Sequence, residues 1–189
     1  MNPVLEAISS RRAIRAYERN PVPKDLLMTV IEAANQAPSG MNTQPWRFVV
    51  VESPEMKRAL VETAVPNSKK YLEPLKEKNP ARHALIMKRY EELEDPVYYS
   101  AAAIIFVIGA GTYAAESCPL ACGNLMLAAH SLGLGSCWVK LGSLITDNSG
   151  IVEALELKGD ETIFGPILVG YPREIPKAPQ KKAPVVKWI

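Results

Sequence analysis

The longest apolar run in the chain spans Ala101 to Ile108, and it constrains the fold more than any other segment. A run of this length without turn-forming residues predicts a strand whose two faces are both buried. The run is far shorter than the ~20 residues that a bilayer-spanning helix needs. It therefore predicts the middle of a sheet and no membrane association.

Helical patterns flank this strand. Val4, Leu5 and Ile8 share one face of a predicted helix over residues 3–10, and an amphipathic pattern predicts a second helix from Pro23 to Ala37. Ser53 is the predicted N-cap of a third helix, with Pro54 at its first position. Further strands are predicted at 48–51, 133–140 and 163–170, and further helices at 119–132 and near 149–157. The pattern predicts one α/β or α+β domain over residues 1–189.

Two segments differ in kind from this core pattern. Residues 66–96 hold four prolines and many charged residues, which predicts a surface excursion with its own helices. Residues 171–189 contain Pro172, Pro176, Pro179 and Pro184, so this segment cannot be helical and is predicted to be an extended C-terminal arm.

The composition excludes several classes of protein. The 22 Lys and Arg residues nearly balance the 20 Asp and Glu residues, for a net charge of +2, so bulk charge does not indicate nucleic-acid binding. A hydrophobic content of 48% argues against disorder. The odd count of 3 cysteines does not suit a disulfide scaffold, and residues 1–13 lack the pattern of a signal peptide. We expect a cytoplasmic protein.

Gly109 to Ala114 follows the apolar run and resembles a dinucleotide-binding fingerprint. Three features weigh against that interpretation. Pro119 suggests that the next helix begins about eight residues after Gly111, the following strand ends in Lys140 and not in an acidic residue, and the two βαβ halves are absent. A glycine-containing exit from the strand is the preferred interpretation.

The cysteines and histidines do not form an evident metal or nucleophile site. Cys118 and Cys122 lie one helical turn apart, and His130 follows two turns later, roughly 12 Å along the axis. With His83 the only other histidine, no local set of four zinc ligands is available. We therefore predict buried thiols and no metal.

Four motifs together suit a ligand that combines a phosphate with a polar-edged aromatic ring. Three arginines follow the first helix, two primary amides and an indole lie between Asn42 and Trp46, two glycines open the strand before Cys137, and two lysines lie in the proline-rich arm. Arginines suit a phosphate, and amides suit an imide-like ring edge.

In order along the chain, the sequence reads Ser-Arg-Arg-x-x-Arg, Ala-Pro-Ser-Gly-x-Asn-x-Gln-Pro-Trp-x-Phe, Gly-Leu-Gly-Ser-Cys-Trp, and then Val-Gly-Tyr-Pro before the proline-rich basic arm. The chain thereby resembles the FMN-dependent nitroreductase family over nearly its whole length, apart from residues 66–96. The resemblance implies an α+β fold with a central mixed or antiparallel sheet flanked by helices. It also implies a homodimer that exchanges the arm 171–189 and holds two FMN sites between its subunits.

The resemblance also implies which residues bind FMN. In one subunit, arginines would contact the phosphate and the pyrimidine side of the flavin, a cysteine and a tryptophan would lie along its face, and an arm lysine would reach the phosphate. The second subunit would contribute the amide-rich segment. The implied residues are Arg11, Arg12, Ala13, Arg15, Pro38, Ser39, Gly40, Asn42, Gln44, Cys137, Trp138, Lys181 and Lys182.

The implied activity is ping-pong hydride transfer from NAD(P)H through FMN N5 to a nitroaromatic, quinone or enone acceptor, with no catalytic side chain required. Residues 66–96 would form a lid over the pocket, and the candidate lining residues are Tyr71, Tyr90, Tyr98 and Tyr99. The alternatives are an FMN store or sensor without turnover, and a flavin-fragmenting or dehalogenating member of the same scaffold.

Three positions depart from the family pattern. Ala13 stands where many members have serine, Val139-Lys140-Leu141 replaces a Glu-Gly pair near N5, and Lys181-Lys182 replaces a Lys-x-Arg pattern. The hydrogen-bond donor to N5, the lysine that binds phosphate, the physiological acceptor and the choice between NADH and NADPH therefore stay open, as does the role of the three cysteines.

Overall fold

The computed structural model of the protein describes residues 2–189. In these residues the chain forms seven α-helices and five β-strands. The helices are α1 (Pro3–Ser10), α2 (Lys24–Asn35), α3 (Pro54–Leu72), α4 (Leu75–Lys78), α5 (Pro80–Glu92), α6 (Ala114–Ser131) and α7 (Ser149–Ala154). The strands are β1 (Trp46–Val51), β2 (Ala103–Gly109), β3 (Gly135–Trp138), β4 (Thr162–Ile163) and β5 (Ile167–Gly170).

The strands form one sheet with the order β1-β2-β5-β3, and the short β4 also pairs with β2. Every pairing between these strands is antiparallel. All seven residues of β2 are buried, which confirms the prediction from the apolar run. The prediction of an α+β domain with a sheet flanked by helices is also confirmed.

Helices cover both faces of the sheet, so successive residues of β2 enter different clusters. Ile105 and Val107 pack with α2 and α6 through Val30 and Leu125. Ile104, Phe106 and Ile108 pack on the other face with α3 and α7. The contributions of α3 and α7 to that cluster include Leu60, Ala64 and Ile151. No helix among residues 2–189 has the length and apolarity to cross a membrane.

The start of α3 follows the sequence prediction. The side chain of Ser53 accepts a hydrogen bond from the backbone N–H of Met56 at 3.2 Å, and Pro54 occupies the first helical position. The helix then continues through Pro66 to Leu72, and Ala64 and Ser68 are buried on it. The first part of residues 66–96 is therefore part of a core helix, and only the segment after Leu72 is a separate excursion.

The start of α6 differs from the sequence prediction. The helix begins at Ala114, three residues after Gly111, and Pro119 lies inside it. Proline removes one helical hydrogen bond, to the carbonyl four residues earlier, and that carbonyl belongs to the exposed Ala115. The helix start therefore does not weigh against a dinucleotide fingerprint, but the antiparallel neighbours of β2 do, since that fold needs parallel strands.

The predicted strands at 133–140 and 163–170 are shorter than expected. The first contains only β3, and the second is divided into β4 and β5 by Phe164, Gly165 and Pro166. Beyond Tyr171 the chain forms no helix, as its prolines predicted, and residues 173–189 are exposed.

Candidate functional site

Residues 11–15, which we call the arginine segment, run beside β3 after α1 ends. Ala13 forms a bridge with Ser136, and the backbone N–H of Ile14 donates to the Ser136 carbonyl at 3.0 Å. Ile14 packs so closely on Gly135 that a Cβ there would lie 2.7 Å from its side chain. The glycine therefore allows the arginine segment to dock as an additional edge of the sheet.

The first two arginines of this segment border a small cavity of about 120 Å³, which we call the Ser136 cavity. Arg12 Nη1 turns back and donates to the carbonyls of Ser9 and Arg11 at 2.7 and 2.8 Å. A cation in this position stabilises the negative end of the α1 dipole. The cavity is lined by Ser10, Arg11, Arg12, Ile14, His130, Gly133, Leu134, Gly135, Ser136, Pro172 and Ile175.

Ser136 gives the cavity an unusual polar group. Its side chain is buried, and within residues 2–189 its Oγ atom has no hydrogen-bond partner. A buried hydroxyl without a partner costs roughly 1–3 kcal/mol relative to a satisfied one. Ser136 lines the cavity together with Arg11, so its hydroxyl is a candidate donor to an anion bound there.

Ser10 and His130 meet at the same cavity. The Oγ of Ser10 donates to the Glu6 carbonyl at 2.7 Å and lies 2.8 Å from His130 Nε2. Since the hydroxyl proton is used on the carbonyl, the hydrogen-bond network assigns Nε2–H of His130 as the donor to Ser10. His130 therefore has a hydrogen-bond partner at the end of α1, which the sequence did not indicate.

Arg15 is separated from the other two arginines and lines an open cleft with Tyr17, Tyr99 and Arg173. Burial raises the pKa of Tyr99, and the nearby guanidinium groups of Arg15 and Arg89 partly offset this increase. The guanidinium carbon of Arg89 lies 5.8 Å from the centroid of the Tyr99 ring. Arg15, Tyr99 and Arg89 thus form one cationic and aromatic cluster.

The thiols are neutral, buried groups. Burial raises the pKa of Cys118 to about 11 and that of Cys122 to about 12. Burial also raises the pKa of Cys137, and the charges of Arg15 and Arg11 offset only part of this effect. All three are free cysteines without a thiolate at neutral pH, so they are poorly suited to act as nucleophiles.

Residues 38–44, which we call the amide loop, come just before β1. Ser39 Oγ accepts from the backbone N–H of Gln44 at 3.0 Å, and Gln44 Nε2 donates to Asn42 Oδ1 at 3.2 Å. Met41, Asn42 and Gln44 have φ angles of 52°, 53° and 44°, in the left-handed region. Three such residues in one exposed loop store backbone strain, which is typical of functional sites.

The arginine segment and the amide loop lie at diagonally opposite corners of the sheet. Ala13 sits beyond β3, and four interstrand spacings of about 4.8 Å, roughly 19 Å, separate it from β1. The two groups also differ in position along the strand direction. Ala13 lies at the height of Ala103, whereas the loop joins β1 at the height of Gly109. These heights are six residues apart on β2, which separates the groups by a further distance of roughly 20 Å. One chain cannot bring these two groups onto one small ligand.

The remaining predicted site residues are spread over the surface and the core. Trp138 is partly exposed beside Thr162 and Phe164, and the N–H of the next residue, Val139, is already bonded to the Pro166 carbonyl. Lys181 and Lys182 are exposed on the arm and make no hydrogen bond or ion pair within residues 2–189. The family resemblance is therefore the only reason to assign Trp138, Lys181 and Lys182 to the site.

The four tyrosines have different environments. Tyr98 is buried and its hydroxyl donates to the Gly142 carbonyl at 2.8 Å, so it belongs to the core and not to a pocket wall. Tyr71 is exposed on α3, and Tyr90 is half-buried on α5. Tyr99 lies beside a predicted cofactor residue, Arg15.

Comparisons with known proteins identify relatives along most of the chain. The model of the nitroreductase family matches residues 8–171. A putative NADH dehydrogenase/NAD(P)H nitroreductase of Methanothermobacter thermautotrophicus is 32% identical over 174 residues, which are 92% of this chain and 79% of the relative. An iodotyrosine deiodinase of Thermotoga neapolitana is 30% identical over 138 residues, 72% of this chain and 73% of that protein. The structure of a nitroreductase with bound FMN from Bacteroides fragilis superposes with a TM-score of 0.79 at 26% identity and covers 100% of both chains.

Proposed function

Because this chain belongs to the nitroreductase family, we propose that it is an FMN-dependent oxidoreductase that uses NADH or NADPH. A nitroaromatic compound, a quinone or an enone is the proposed acceptor. When bound, FMN accepts two electrons from the reduced nicotinamide and passes them to the acceptor. The protein's own residues bind and orient the reactants.

The residues around the Ser136 cavity fit the phosphate of FMN. The Ser136 hydroxyl lacks an acceptor, and a phosphate oxygen would provide one. Arg11 supplies a guanidinium in the same cavity, and arginine is the side chain best suited to a phosphate. The Ser136 hydroxyl on the neighbouring strand would then take the place of the hydroxyl that Ala13 lacks.

Arg15 is the proposed partner of the pyrimidine side of the flavin. It lies in the cleft next to Tyr99, away from the Ser136 cavity, so the two arginine positions suit the two polar ends of one elongated cofactor. A guanidinium at the pyrimidine side would favour negative charge there, which develops when the flavin is reduced.

The main support for an FMN site shared by two subunits is the distance between the arginine segment and the amide loop. Ser39, Gly40, Asn42 and Gln44 are too far from Arg11 in the same chain to share a flavin with it. A second copy of the chain would bring its own amide loop to the arginine segment of the first. We therefore propose a homodimer with two composite FMN sites, to which Lys181 or Lys182 of the arm would add a cation.

Exposed apolar side chains support association with a second copy. On α1, Val4, Leu5 and Ile8 are each more than half exposed, although they form one helical stripe. At the end of the arm, Trp188 and Ile189 are almost fully exposed. An apolar area of this kind is typical of a surface that is covered in an assembly.

A second candidate reaction is reductive removal of a halogen from an aromatic acceptor. The relative from Thermotoga neapolitana that favours it is named iodotyrosine deiodinase. Both reactions would use the same flavin and the same binding residues, and the acceptor that the cleft near Arg15 and Tyr99 selects would decide between them. Dehalogenation would replace the halogen by a proton and release it as halide, with two electrons consumed.

The test is the visible absorbance spectrum of the purified protein before and after anaerobic addition of NADH or NADPH. We expect a flavin spectrum that bleaches with one of the nucleotides and returns when a nitroaromatic is added. Return of the spectrum with an iodinated phenol, but not with the nitroaromatic, would favour dehalogenation. A bound flavin that neither nucleotide bleaches would support a store or sensor, and a protein that cannot bind FMN would refute the proposal.

A further inference from the structure

Two glycines dock the amide loop onto the segment that leads into α6. A Cβ on Gly40 would lie only 2.5 to 3.0 Å from Cγ, Cδ1 and Cβ of Tyr113, so the loop backbone rests directly on this tyrosine ring. A Cβ on Gly109 would lie 2.8 Å from the Pro45 carbonyl oxygen and 2.4 Å from Cys118 Sγ. Gly40 in the loop and Pro45 immediately after it therefore both meet residues 109–118 at close range.

Hydrogen bonds complete this attachment. The backbone N–H of Ala110 donates to the Pro45 carbonyl at 3.2 Å, and the N–H of Gly40 donates to Ser117 Oγ at 3.4 Å. Ser117 is buried in the first turns of α6. The same short segment thus holds Gly40 through Tyr113 and Ser117, and it holds Pro45, the residue after the loop, through Ala110.

The loop needs such support because several of its residues have unfavourable backbone angles. Met41, Asn42 and Gln44 lie in the left-handed region, which is unfavourable for residues with a side chain, least so for asparagine. The side chains of Met41, Asn42 and Gln44 are exposed, so burial does not offset this cost. A strained, exposed loop keeps one shape only when its surroundings impose that shape.

We propose that Tyr113 and Ser117 are positioning residues that hold the amide loop in the conformation that binds FMN. This inference rests on the proposed function, in which the loop contacts the flavin of the partner subunit. It also gives the Gly109 to Ala114 motif a role, because residues of this motif support the loop.

The expected effect is a loss of preorganisation. Without the tyrosine ring, the loop would sample other conformations, and FMN would bind only the fraction that is correctly folded. We expect Tyr113→Ala to weaken FMN binding by about tenfold, while Tyr113→Phe, which keeps the ring, binds FMN like the parent protein. Met28→Ala, which removes an exposed side chain from α2, is the matched control.

A double-mutant cycle with Gly40 separates support of the loop from direct contact with FMN. Gly40 does not have a positive φ, so the main cost of Gly40→Ala is the clash with the Tyr113 ring. We expect Gly40→Ala alone to weaken FMN binding, and the combination with Tyr113→Ala to be clearly less than additive. Additive losses would mean that the new methyl group acts on FMN directly.

The measurements are FMN titration by quenching of flavin fluorescence, hydrogen exchange of the loop amides in the FMN-free protein, and thermal unfolding. The proposal expects faster exchange at Thr43 and Gln44 in Tyr113→Ala, with a melting temperature close to that of Met28→Ala. Unchanged exchange and unchanged FMN affinity in Tyr113→Ala would overturn the proposal, provided that the parent protein binds FMN. A parent protein that does not bind FMN would refute the proposed function, whereas the exchange result would still report on loop support.

Discussion

Ser10 and His130 are 120 residues apart in the chain, yet Ser10 Oγ lies 2.8 Å from His130 Nε2. The bond joins the last turn of α1 to the last turn of α6 beside the Ser136 cavity. Since the arginine segment starts immediately after Ser10, the bond helps to set where Arg11 enters the cavity.

His130→Phe is expected to weaken FMN binding by roughly threefold to tenfold, the usual value of one partly exposed hydrogen bond. The phenyl ring of the new phenylalanine occupies about the same space as the imidazole but cannot donate a hydrogen bond to Ser10. The measurement is FMN titration, with Ser131→Ala as a control, because the Ser131 hydroxyl donates to the carbonyl of Ala128 within its own helix. Equal affinities in the parent protein and in His130→Phe would contradict the role of the Ser10–His130 bond.

Ser136→Ala is expected to change stability and FMN binding in opposite directions. In the FMN-free protein the substitution removes a buried hydroxyl without a partner, so the melting temperature should stay the same or rise. FMN affinity should fall by roughly tenfold, since the phosphate loses a charge-assisted hydrogen bond of about 1.5 kcal/mol. Thermal unfolding and FMN titration measure the two effects. A lower melting temperature with unchanged affinity would show that Ser136 has only a structural role.

Local signals in the sequence predicted much of the fold. The apolar run of Ala101 to Ile108 identified β2, because a strand buried on both faces shows no alternation. Ser53 and Pro54 identified the start of α3, because both act within one helical turn. Pro119 misled the prediction for α6, because a helix tolerates proline where the carbonyl it leaves unbonded can reach water.

The site was less accessible to sequence analysis, because its partners are distant in the chain. No pattern links Ser10 to His130, or Gly40 to Tyr113, and both pairs depend on how the helices meet the sheet. Alternation along the Gly-Leu-Gly-Ser-Cys-Trp strand could have separated Ser136 from Cys137, since successive side chains point to opposite faces. Tyr98 could not be recognised as a core residue, because a tyrosine in a polar segment predicts either environment.

Arg89→Met is expected to change the choice of acceptor if residues after Leu72 form a lid. Arg89 lies on α5 over the ring of Tyr99, so its loss removes a positive charge next to the cleft that contains Arg15. The rate ratio for 4-nitrobenzoate over the neutral 4-nitrobenzyl alcohol should fall by roughly threefold to tenfold. Lys88→Met is the control, because Lys88 is exposed and pairs with Glu92 at 3.5 Å. Deletion of residues 67–95 is a less suitable test, since it removes the buried Ser68.

Arg47 and Glu161 predict how stability depends on pH. Arg47 donates from Nε and Nη2 to the two carboxylate oxygens of Glu161, each at 2.7 Å, and these bonds lower the pKa of Glu161 to about 2. A carboxylate with a lowered pKa in the folded state stabilises the protein above its unfolded pKa, about 4.3. This stabilisation should be lost as the pH falls from about 5 to about 2.

The measurement is the melting temperature of the parent protein and of Glu161→Gln at several pH values. At pH 7 the substitution should lower the melting temperature by roughly 2–4 °C, which corresponds to about 1 kcal/mol. The difference should shrink steadily below pH 5. Exposed Glu32→Gln on α2 is the control and should show no such convergence. A difference that is constant from pH 7 to pH 3 would mean that the ion pair does not contribute in this way.

The composite site predicts that two inactive variants restore each other. Arg11→Ala damages the arginine segment, and Asn42→Ala damages the amide loop, so both sites of either homodimer are defective. In a mixed dimer, one site combines the intact arginine segment of one chain with the intact amide loop of the other. Random mixing gives half mixed dimers with one intact site each, so about a quarter of the sites should regain FMN binding and NAD(P)H oxidation. The control mixes Arg11→Ala with Arg15→Ala, which damage the same half of the site and should recover nothing. If the Arg11→Ala and Asn42→Ala variants do not restore each other after unfolding and joint refolding, the two groups do not share a flavin, because a site within one chain can gain nothing from a second copy.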